Sequence, residues 1–272
     1  MLNRMIVLGT GGAVSTRYRN TCFVLTDGQE LFLTDGGGGH ELVTAFRQQN
    51  LDWNRLHHAF LSHEHTDHLL GMVWAVRMVA EMMLYWRCYP DDFTVYSHDV
   101  GLEKLREVCR LLLKPSQYAL IGQRIHLVSV EDRRRLRILD TEFTFFDIHS
   151  TKAKQFGYRM DRPALVFLGD EPFSERCADL VRPCDWLLSE AFCLDAERQR
   201  YRPGELHHAT VREAAQCAAR FDVRNLVLWH TEDETTYGRR RELYTAEAAQ
   251  YCNCRVWVPE DGETIPLTEE KT

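Results

Sequence analysis

Apolar residues occur along the chain in short runs bounded by glycine or polar turns, a pattern typical of proteins built on β-sheets. Longer stretches in which apolar residues recur at helical spacing predict helices between these runs. We expect strands at 5–8, 22–26, 31–34, 59–61, 93–96, 136–139, 141–148, 164–168, 186–189, 226–229 and 255–258. We expect helices near 43–49, 69–88, 100–113, 210–220 and 239–251.

The order of these elements predicts the fold class. Strands come first as hairpins, with Asp27-Gly28 as a strong turn signal, and later strands alternate with helices. Layered sheets covered by helices fit this order, so we predict an α/β (layered α+β) protein. The sequence contains no internal repeat, low-complexity tract or flexible linker, and one domain spanning 1–272 is therefore the simplest expectation.

The stretch 71–86 is the most apolar of the chain. Its apolar residues cover most of a helix circumference and leave a narrow stripe that contains Arg77 and Glu81. Two interpretations stay open, namely burial in the core and the face of a homodimer. We expect no transmembrane helix because these charges interrupt the run, and no membrane-surface helix because the stripe lacks a cluster of Lys or Arg.

Composition and charge describe a folded, acidic protein. Apolar residues make up 44% of the chain, and 33 Lys and Arg against 40 Asp and Glu give a formal charge of −7. This balance argues against a general nucleic-acid-binding protein and leaves room for small anionic substrates attracted by local positive charge. Nine cysteines, an odd number, together with the absence of a secretory signal, favour reduced thiols and a cytoplasmic location.

Three histidines and one aspartate are concentrated directly after the predicted strand 59–61. They are His63, His65, Asp67 and His68. Imidazole nitrogen and carboxylate oxygen suit zinc and its neighbours among the transition metals. Alternate residues of an extended segment point to the same side, so His63 and His65 can share one metal ion. A surface histidine patch is the alternative, and the strand-to-turn context argues against it.

Three later apolar strands each end on a residue that can bind metal. Strand 141–148 is followed by His149, strand 164–168 by Gly169-Asp170, and strand 226–229 by His230. Such residues belong to the carboxyl edge of a sheet, where the sites of α/β proteins collect. We therefore predict that they complete a metal site with the histidine cluster.

These motifs, together with Gly9-Thr-Gly-Gly12 and Asp35, resemble the metallo-β-lactamase superfamily, which implies an αββα sandwich with a dinuclear metal site. Within it the chain is most similar to the ribonuclease Z branch of phosphodiesterases. The motifs that support this branch are Arg19-Asn20, His149-Ser150 with Phe156-Gly-Tyr-Arg159, Leu188-Ser-Glu-Ala191, and His207-His208-Ala-Thr210.

The resemblance implies two divalent metal ions, expected to be Zn²⁺, with Mn²⁺ or iron as alternatives. The ligands that it implies are His63, His65 and His149 for one ion, Asp67, His68 and His230 for the other, and Asp170 as a bridge. A hydroxide shared by the ions would be the nucleophile near neutral pH. Asp67 is also expected to orient the attacking water.

The resemblance further implies a catalytic pair beside the metals. Matching the His-x-Thr pattern of the branch selects His208 as a proton donor or phosphate ligand, with Glu190 holding its imidazole. His207 remains a competitor for this role. Asp35 is expected to anchor the histidine loop rather than to bind metal. The run 36–39 of four glycines either presents backbone N–H groups to an anion or forms a turn that keeps side chains out of the cleft.

The chain departs from the branch in two places. The branch inserts a long arm that grips transfer RNA after its Gly-Tyr-Arg segment, whereas here only a few residues separate Arg159 from the next strand. Ser189 also stands where the branch has histidine. Because binding of a large RNA depends on many phosphate contacts, we do not expect transfer-RNA processing by this acidic chain.

The function that we expect is a metal-dependent hydrolase, specifically a phosphodiesterase acting on a small anionic or phosphodiester substrate. Two alternatives stay open. The same metal site could hydrolyse a lactone, thioester or lactam, or the protein could keep the fold only to bind a ligand.

Overall fold

The chain forms two mixed β-sheets, and each sheet lies in a separate compact unit with its own helices. The structure, a computed structural model, describes residues 1–268. The first unit comprises 1–9, 19–131 and the chain from 262, and the second comprises 10–18 and 132–261. The predicted α/β class with sheets and flanking helices is confirmed.

The first unit contains seven strands within the described residues. They are β1 (Arg4–Gly9), β2 (Cys22–Thr26), β3 (Leu31–Thr34), β4 (Leu56–Phe60), β5 (Phe93–Ser97), β6 (Ile125–Ser129) and β14 (Thr264–Pro266). Its helices are α1 (Glu41–Gln48), α2 (Thr66–Glu81), α3 (Asp99–Leu112) and α4 (Pro115–Tyr118). The sheet order is β14-β1-β2-β3-β4-β5-β6. Pairing is antiparallel from β14 to β3 and parallel from β3 to β6.

The second unit repeats this division into antiparallel and parallel halves. Its strands are β7 (Arg134–Ile138), β8 (Thr141–Asp147), β9 (Phe156–Met160), β10 (Leu165–Phe167), β11 (Trp186–Glu190), β12 (Asn225–Trp229) and β13 (Arg255–Trp257). Its helices are α5 (Ala178–Val181), α6 (Arg198–Tyr201), α7 (Val211–Arg220) and α8 (Arg240–Ala248). The sheet order is β13-β12-β11-β10-β9-β8-β7, parallel from β13 to β10 and antiparallel from β10 to β7.

Strand direction brings the predicted site residues of each unit to one edge of its sheet. In the first unit β3 and β4 are parallel, so Asp35 and the histidine loop both follow carboxyl ends of neighbouring strands. In the second unit β10, β11 and β12 are parallel, and β8 runs the same way because two antiparallel steps separate it from β10. Residues that follow these four strands therefore share an edge.

The apolar helix belongs to the core of the first unit. Residues of α2 that are fully buried include Met72, Ala75, Val76, Val79 and Ala80. The helix and its π-helical continuation Met82–Trp86 together have the length and composition of a membrane span, but 56% of that window is buried inside the structure. Core burial thus accounts for the apolar run as far as the π-helical turn. Tyr85 and Trp86 at its end are exposed.

Three strands were not predicted from the sequence, namely β6, β9 and β14. In β9 the reason is Gly157, which interrupts the apolar pattern but is required because an added Cβ would lie 2.3 Å from Phe167 O.

The expectation of reduced thiols is wrong for Cys252 and Cys254, which form a disulfide after α8. The other seven cysteines are thiols.

Candidate metal centre

The segment 61–68, which runs from the end of β4 into the first turn of α2 and which we call the histidine loop, contains four of the predicted ligands. The His63 ring centroid lies 4.4 Å from that of His65 and 4.2 Å from that of His68, and His68 Nε2 lies 3.3 Å from Asp67 Oδ2. His63, Asp67 and His68 are buried, whereas His65 is partly exposed. Imidazole and carboxylate groups collected at this spacing form a cluster suited to a transition-metal ion.

Asp35 anchors this loop through hydrogen bonds, as the sequence predicted. Ser62 N–H donates to Asp35 Oδ1 at 2.7 Å, and Ser62 Oγ donates to Oδ2 at 2.7 Å. Since that hydroxyl proton is engaged, Ser62 Oγ accepts the hydrogen bond from His63 Nδ1 at 2.9 Å. His68 Nδ1 donates to Asp35 Oδ2 at 2.8 Å. Both imidazoles therefore carry their proton on Nδ1 and offer Nε2 as the metal-binding nitrogen.

The same carboxylates give the loop a negative potential. Burial lowers the pKa of His68, but the charges of Asp67 and Asp35 and their hydrogen bonds outweigh burial and raise it well above its ordinary value. A position that stabilises an imidazolium also stabilises a metal cation. The loop therefore has the electrostatics of a cation site as well as its donor atoms.

The glycines after Asp35 allow the backbone of the loop to touch helix α2. Gly36 N–H donates to His68 O and Gly71 N–H donates to Gly37 O, each at 2.9 Å. An added Cβ on Gly71 would lie 1.7 Å from Gly36 O, and one on Gly36 would lie 2.0 Å from Met72 N. These contacts favour the turn interpretation of 36–39 over an anion site, because the turn positions the start of α2 with Asp67 and His68.

The second unit gathers its own group of metal-binding side chains. Asp170, His208 and His230 each offer a donor atom within 4.8 Å of the others. His230 Nε2 lies 3.6 Å from Asp170 Oδ2, and the His208 and His230 rings lie 5.3 Å apart. Asp170 follows β10 and His230 follows β12, so their proximity results from the parallel pairing of these strands through β11.

His208 also pairs with Glu190 at the end of β11. Their closest atoms, His208 Nδ1 and Glu190 Oε2, are 3.6 Å apart, and the His208 ring stacks on Phe192 with centroids 5.1 Å apart. Glu190 is fully buried, and its Oε1 accepts a hydrogen bond from Ala209 N–H. Burial raises the pKa of Glu190, while the nearby His208 imidazole and the hydrogen bond from Ala209 N–H oppose that rise.

The two adjacent histidines have different surroundings. His207 has a positive φ of 58°, and its Nδ1 meets Thr151 Oγ1 in a short hydrogen bond. His208 instead lies beside Glu190 and the metal-binding group of Asp170 and His230. Of the two histidines, His208 is the one that lies beside the metal-binding group.

His149 follows β8 but is held by its own strand. Its N–H donates to Asp147 Oδ1 at 2.7 Å, and its Nδ1 lies 4.0 Å from the same oxygen. Within residues 1–268 the donor group around Asp170 and His230 includes His208 rather than His149.

Lys152, from the loop that follows His149, places Nζ 3.4 Å from Asp170 Oδ2. No sequence signal identified Lys152, because its contact depends on the path of the loop.

Arg240 is a buried cation that no sequence pattern predicted. Its Nη1 donates to Thr10 Oγ1 at 2.9 Å and to Thr231 Oγ1 at 3.0 Å, and its guanidinium stacks 3.8 Å from the centre of the Tyr18 ring. Gly12 N–H in addition donates to Thr231 O at 2.9 Å. Gly12 and Arg240 thus hold Thr231, the residue directly after His230. A lone Arg at the start of α8 carries no sequence pattern that predicts this role.

The connection that would carry an arm is a short turn. Met160 and Leu165 are paired across the β9–β10 hairpin, and only 161–164 link the two strands. The sequence-based expectation that no arm is present at this place is confirmed.

The sequence is similar to those of known proteins. The profile of a family described as "Beta-lactamase superfamily domain" matches residues 32–231. A ribonuclease Z of Nocardia farcinica (strain IFM 10152) is 28% identical over 314 aligned residues, which cover 97% of this chain and 97% of that protein.

Solved structures show the same fold. A diphosphatase from the PhnP family has a TM-score of 0.74 at 13% identity, covering 97% of each chain. The short form of human tRNase Z has a TM-score of 0.73 at 18% identity, covering 98% of this chain and 100% of that one. The metallo-β-lactamase fold implied by the sequence is therefore confirmed.

Proposed function

Because the chain belongs to the metallo-β-lactamase superfamily, we propose that it is a metal-dependent phosphodiesterase that acts on small substrates. The observation that carries this proposal is the pair of His208 and Glu190 beside Asp170 and His230. Cleavage of a phosphodiester leaves an alkoxide, which needs a proton, and an imidazole held by a buried carboxylate can deliver it.

We propose that the two units act as one domain over 1–272 and bind two divalent ions, with zinc as the expected metal. The proposed ligands are His63, His65 and His149 for one ion, Asp67, His68 and His230 for the other, and Asp170 for both. Histidine and carboxylate donors in both clusters fit Zn²⁺, Mn²⁺ and iron. When bound, the metals supply Lewis-acid stabilisation of phosphoryl charge and lower the pKa of water.

The protein's own residues supply positioning and proton transfer. Asp67 accepts a hydrogen bond from the attacking water and orients it towards phosphorus. His208 donates a proton to the leaving oxygen through its imidazole, while Glu190 holds the ring and stabilises its protonated form. The burial of Glu190 keeps bulk water from competing for this contact.

Two features support a small substrate rather than transfer RNA. The turn 161–164 offers no arm, and the formal charge of −7 disfavours a long polyanion. The relative named ribonuclease Z and the neighbour titled a diphosphatase both support chemistry at phosphorus.

A substrate panel tests the proposal. Protein loaded separately with Zn²⁺ and Mn²⁺, with its metal content measured, is assayed with bis(p-nitrophenyl) phosphate, a lactone and a thioester. We expect turnover of the phosphodiester. Turnover of the acyl substrates alone would overturn the phosphodiesterase assignment, and metal-loaded protein that hydrolyses none of them would indicate a ligand-binding protein.

We further propose that the protein is a homodimer and is cytoplasmic. The first unit exposes four large apolar side chains, namely Tyr85, Trp86, Leu111 and Leu112. The two pairs are connected by Lys114, whose Nζ lies 5.3 Å from the centre of the Tyr85 ring. Light scattering coupled to size exclusion should give twice the chain mass for the wild type and a lower mass for Trp86→Asp. A strict monomer at micromolar concentration would contradict the dimer. The seven thiols support a reducing compartment, which cell fractionation tests.

A further inference from the structure

A basic loop lines a cavity in the second unit. The cavity has a volume of about 380 Å³, and its charged lining residues are Asp147, His149, Lys152, Lys154 and Arg176. We call it the basic cavity. Its volume lies within the range of small-molecule sites. Three permanent cations around one cavity indicate an anionic ligand.

The positive charge at the cavity is confined to a short segment, whereas the chain as a whole is negatively charged. Residues 148–160 contain Lys152, Lys154 and Arg159 and no Asp or Glu, in a protein with a formal charge of −7. The carboxylates at the margin bind the backbone of the loop. Asp147 Oδ1 accepts from His149 N–H at 2.7 Å, and Glu171 Oε2 accepts from Thr151 N–H at 3.0 Å. Asp147 thus binds the backbone of the loop from within the lining, and the lining contains three cations against this one carboxylate.

The basic cavity adjoins the metal-binding group of the same unit. Lys152, one of its lining residues, places Nζ 3.4 Å from Asp170 Oδ2, and Asp170 lies 3.6 Å from His230 Nε2. A substrate that reacts beside Asp170 can thus extend into the cavity. The leaving oxygen has to face His208, the proposed proton donor, so the cavity is assigned to the group that is retained.

We propose that the basic cavity binds a second phosphate of the substrate, so that the preferred substrates are small phosphodiesters whose retained group carries a phosphate monoester. This inference rests on the proposed phosphodiesterase function. Arg and Lys recognise phosphate oxygens through charge-assisted hydrogen bonds. A phosphate monoester carries more charge than the diester that reacts, so it is the group that gains most from these cations.

A matched pair of substrates tests the proposal. Thymidine 5′-(p-nitrophenyl phosphate) and its 3′-phosphorylated form share one leaving group and differ only by the second phosphate. We expect the metal-loaded wild type to prefer the 3′-phosphorylated form by about tenfold or more in kcat/KM, through a lower KM, and to lose that preference at high salt. Equal kcat/KM values for the two substrates would overturn the proposal.

The variant Lys154→Ala/Arg176→Ala removes two cations that line the basic cavity and are not among the proposed metal ligands. It should lose the preference for the 3′-phosphorylated substrate while its kcat/KM for the other substrate stays at the wild-type value. The control Arg182→Ala/Arg224→Ala removes the same charge from exposed residues that pair with Asp222 and Asp185, and it should keep the preference. Equal losses in both double variants would show a net-charge effect and contradict a specific subsite.

A binding measurement separates this inference from the proposed function. Titration calorimetry with thymidine 3′,5′-bisphosphate should show binding that weakens about tenfold in Lys154→Ala/Arg176→Ala and not in the control. If neither diester is hydrolysed but this difference in binding remains, the phosphodiesterase function fails and the anion subsite stands. If the diesters are hydrolysed and the bisphosphate binds both double variants alike, the subsite fails alone.

Discussion

Asp35 Oδ2 accepts a hydrogen bond from His68 Nδ1 at 2.8 Å, across 33 positions of sequence. The same carboxylate binds Ser62, which in turn holds His63. One buried acid at the end of β3 therefore fixes the tautomer and the orientation of two proposed ligands that follow β4. It therefore acts on the proposed metal site by holding Ser62 and His68.

Replacing Asp35 with Asn should weaken metal binding by about 10–100-fold, because the amide removes the charge and one acceptor that orient the two imidazoles. Calorimetric titration of metal into the stripped protein measures the change. Asp52→Asn is a matched control, because Asp52 also accepts a backbone N–H but serves only the turn at 53–55. Unchanged affinity in Asp35→Asn would show that the imidazoles are oriented without it.

Several of the proposed donors were found in the sequence because they follow apolar strands. Parallel pairing then takes Asp170 and His230 to one edge, as expected from their positions alone. The sequence left His207 and His208 as alternatives because their surroundings depend on backbone conformation, and His207 has a positive φ.

Other parts of the site were not predictable for a different physical reason. Lys152 reaches Asp170 through an irregular loop, and Arg240 reaches Thr10 from a helix more than two hundred residues later in the chain. Such contacts leave no periodic pattern in the sequence. Strand β9 was missed because Gly157 weakens the strand signal, although close approach to Phe167 requires a glycine there.

His208→Gln should lower kcat for a phosphodiester by about 10²–10⁴-fold while metal content stays at the wild-type value, because the variant loses proton transfer and keeps the proposed ligands. Steady-state kinetics and elemental analysis of the same preparation provide the test. His207→Gln is the control and should keep wild-type activity, since His207 contacts Thr151 instead. Parallel loss of metal and activity in His208→Gln would make His208 a metal ligand.

Gly71→Ala should destabilise the protein by about 3 kcal/mol or more, because its Cβ has no room beside Gly36 O and the backbone must move. Urea unfolding measures the change in the free energy of unfolding. Gly204→Ala is the control, since an added Cβ there meets nothing within 4 Å, and its free energy of unfolding should change by about 0.5 kcal/mol at most. A Gly71→Ala protein as stable as the wild type would refute the close-approach argument.

His58 makes stability depend on pH. Burial, followed by the charge of His57, lowers the pKa of His58 from 6.5 to about 4 in the folded protein. Above pH 6.5 both folded and unfolded states are neutral at this residue, so it contributes nothing. As the pH falls from 6.5 to 4 the unfolded state takes up the proton first, and folding loses about 2 kcal/mol after allowance for partial exposure.

His58→Gln should remove this loss, so the free energy of unfolding of the variant should fall less than that of the wild type between pH 6.5 and 4. Urea unfolding at a series of pH values gives the difference. His40→Gln changes an exposed histidine and should follow the wild-type curve. Parallel curves for His58→Gln and the wild type would mean that His58 titrates alike in both states.

Lys152→Met should raise metal affinity by about tenfold, because an ammonium 3.4 Å from Asp170 Oδ2 competes with a metal cation for the same carboxylate. Methionine keeps an unbranched, flexible side chain that is one atom shorter, and it removes the ammonium group that contacts Asp170. Competition titration against a chelator measures the change, which should shrink as salt concentration rises. Lys154→Met removes the same charge two residues away, where Nζ lies 5.5 Å from the Phe156 ring, and should leave metal affinity unchanged. Weaker metal binding in Lys152→Met would mean that the ammonium orients Asp170 for the metal instead of competing with it.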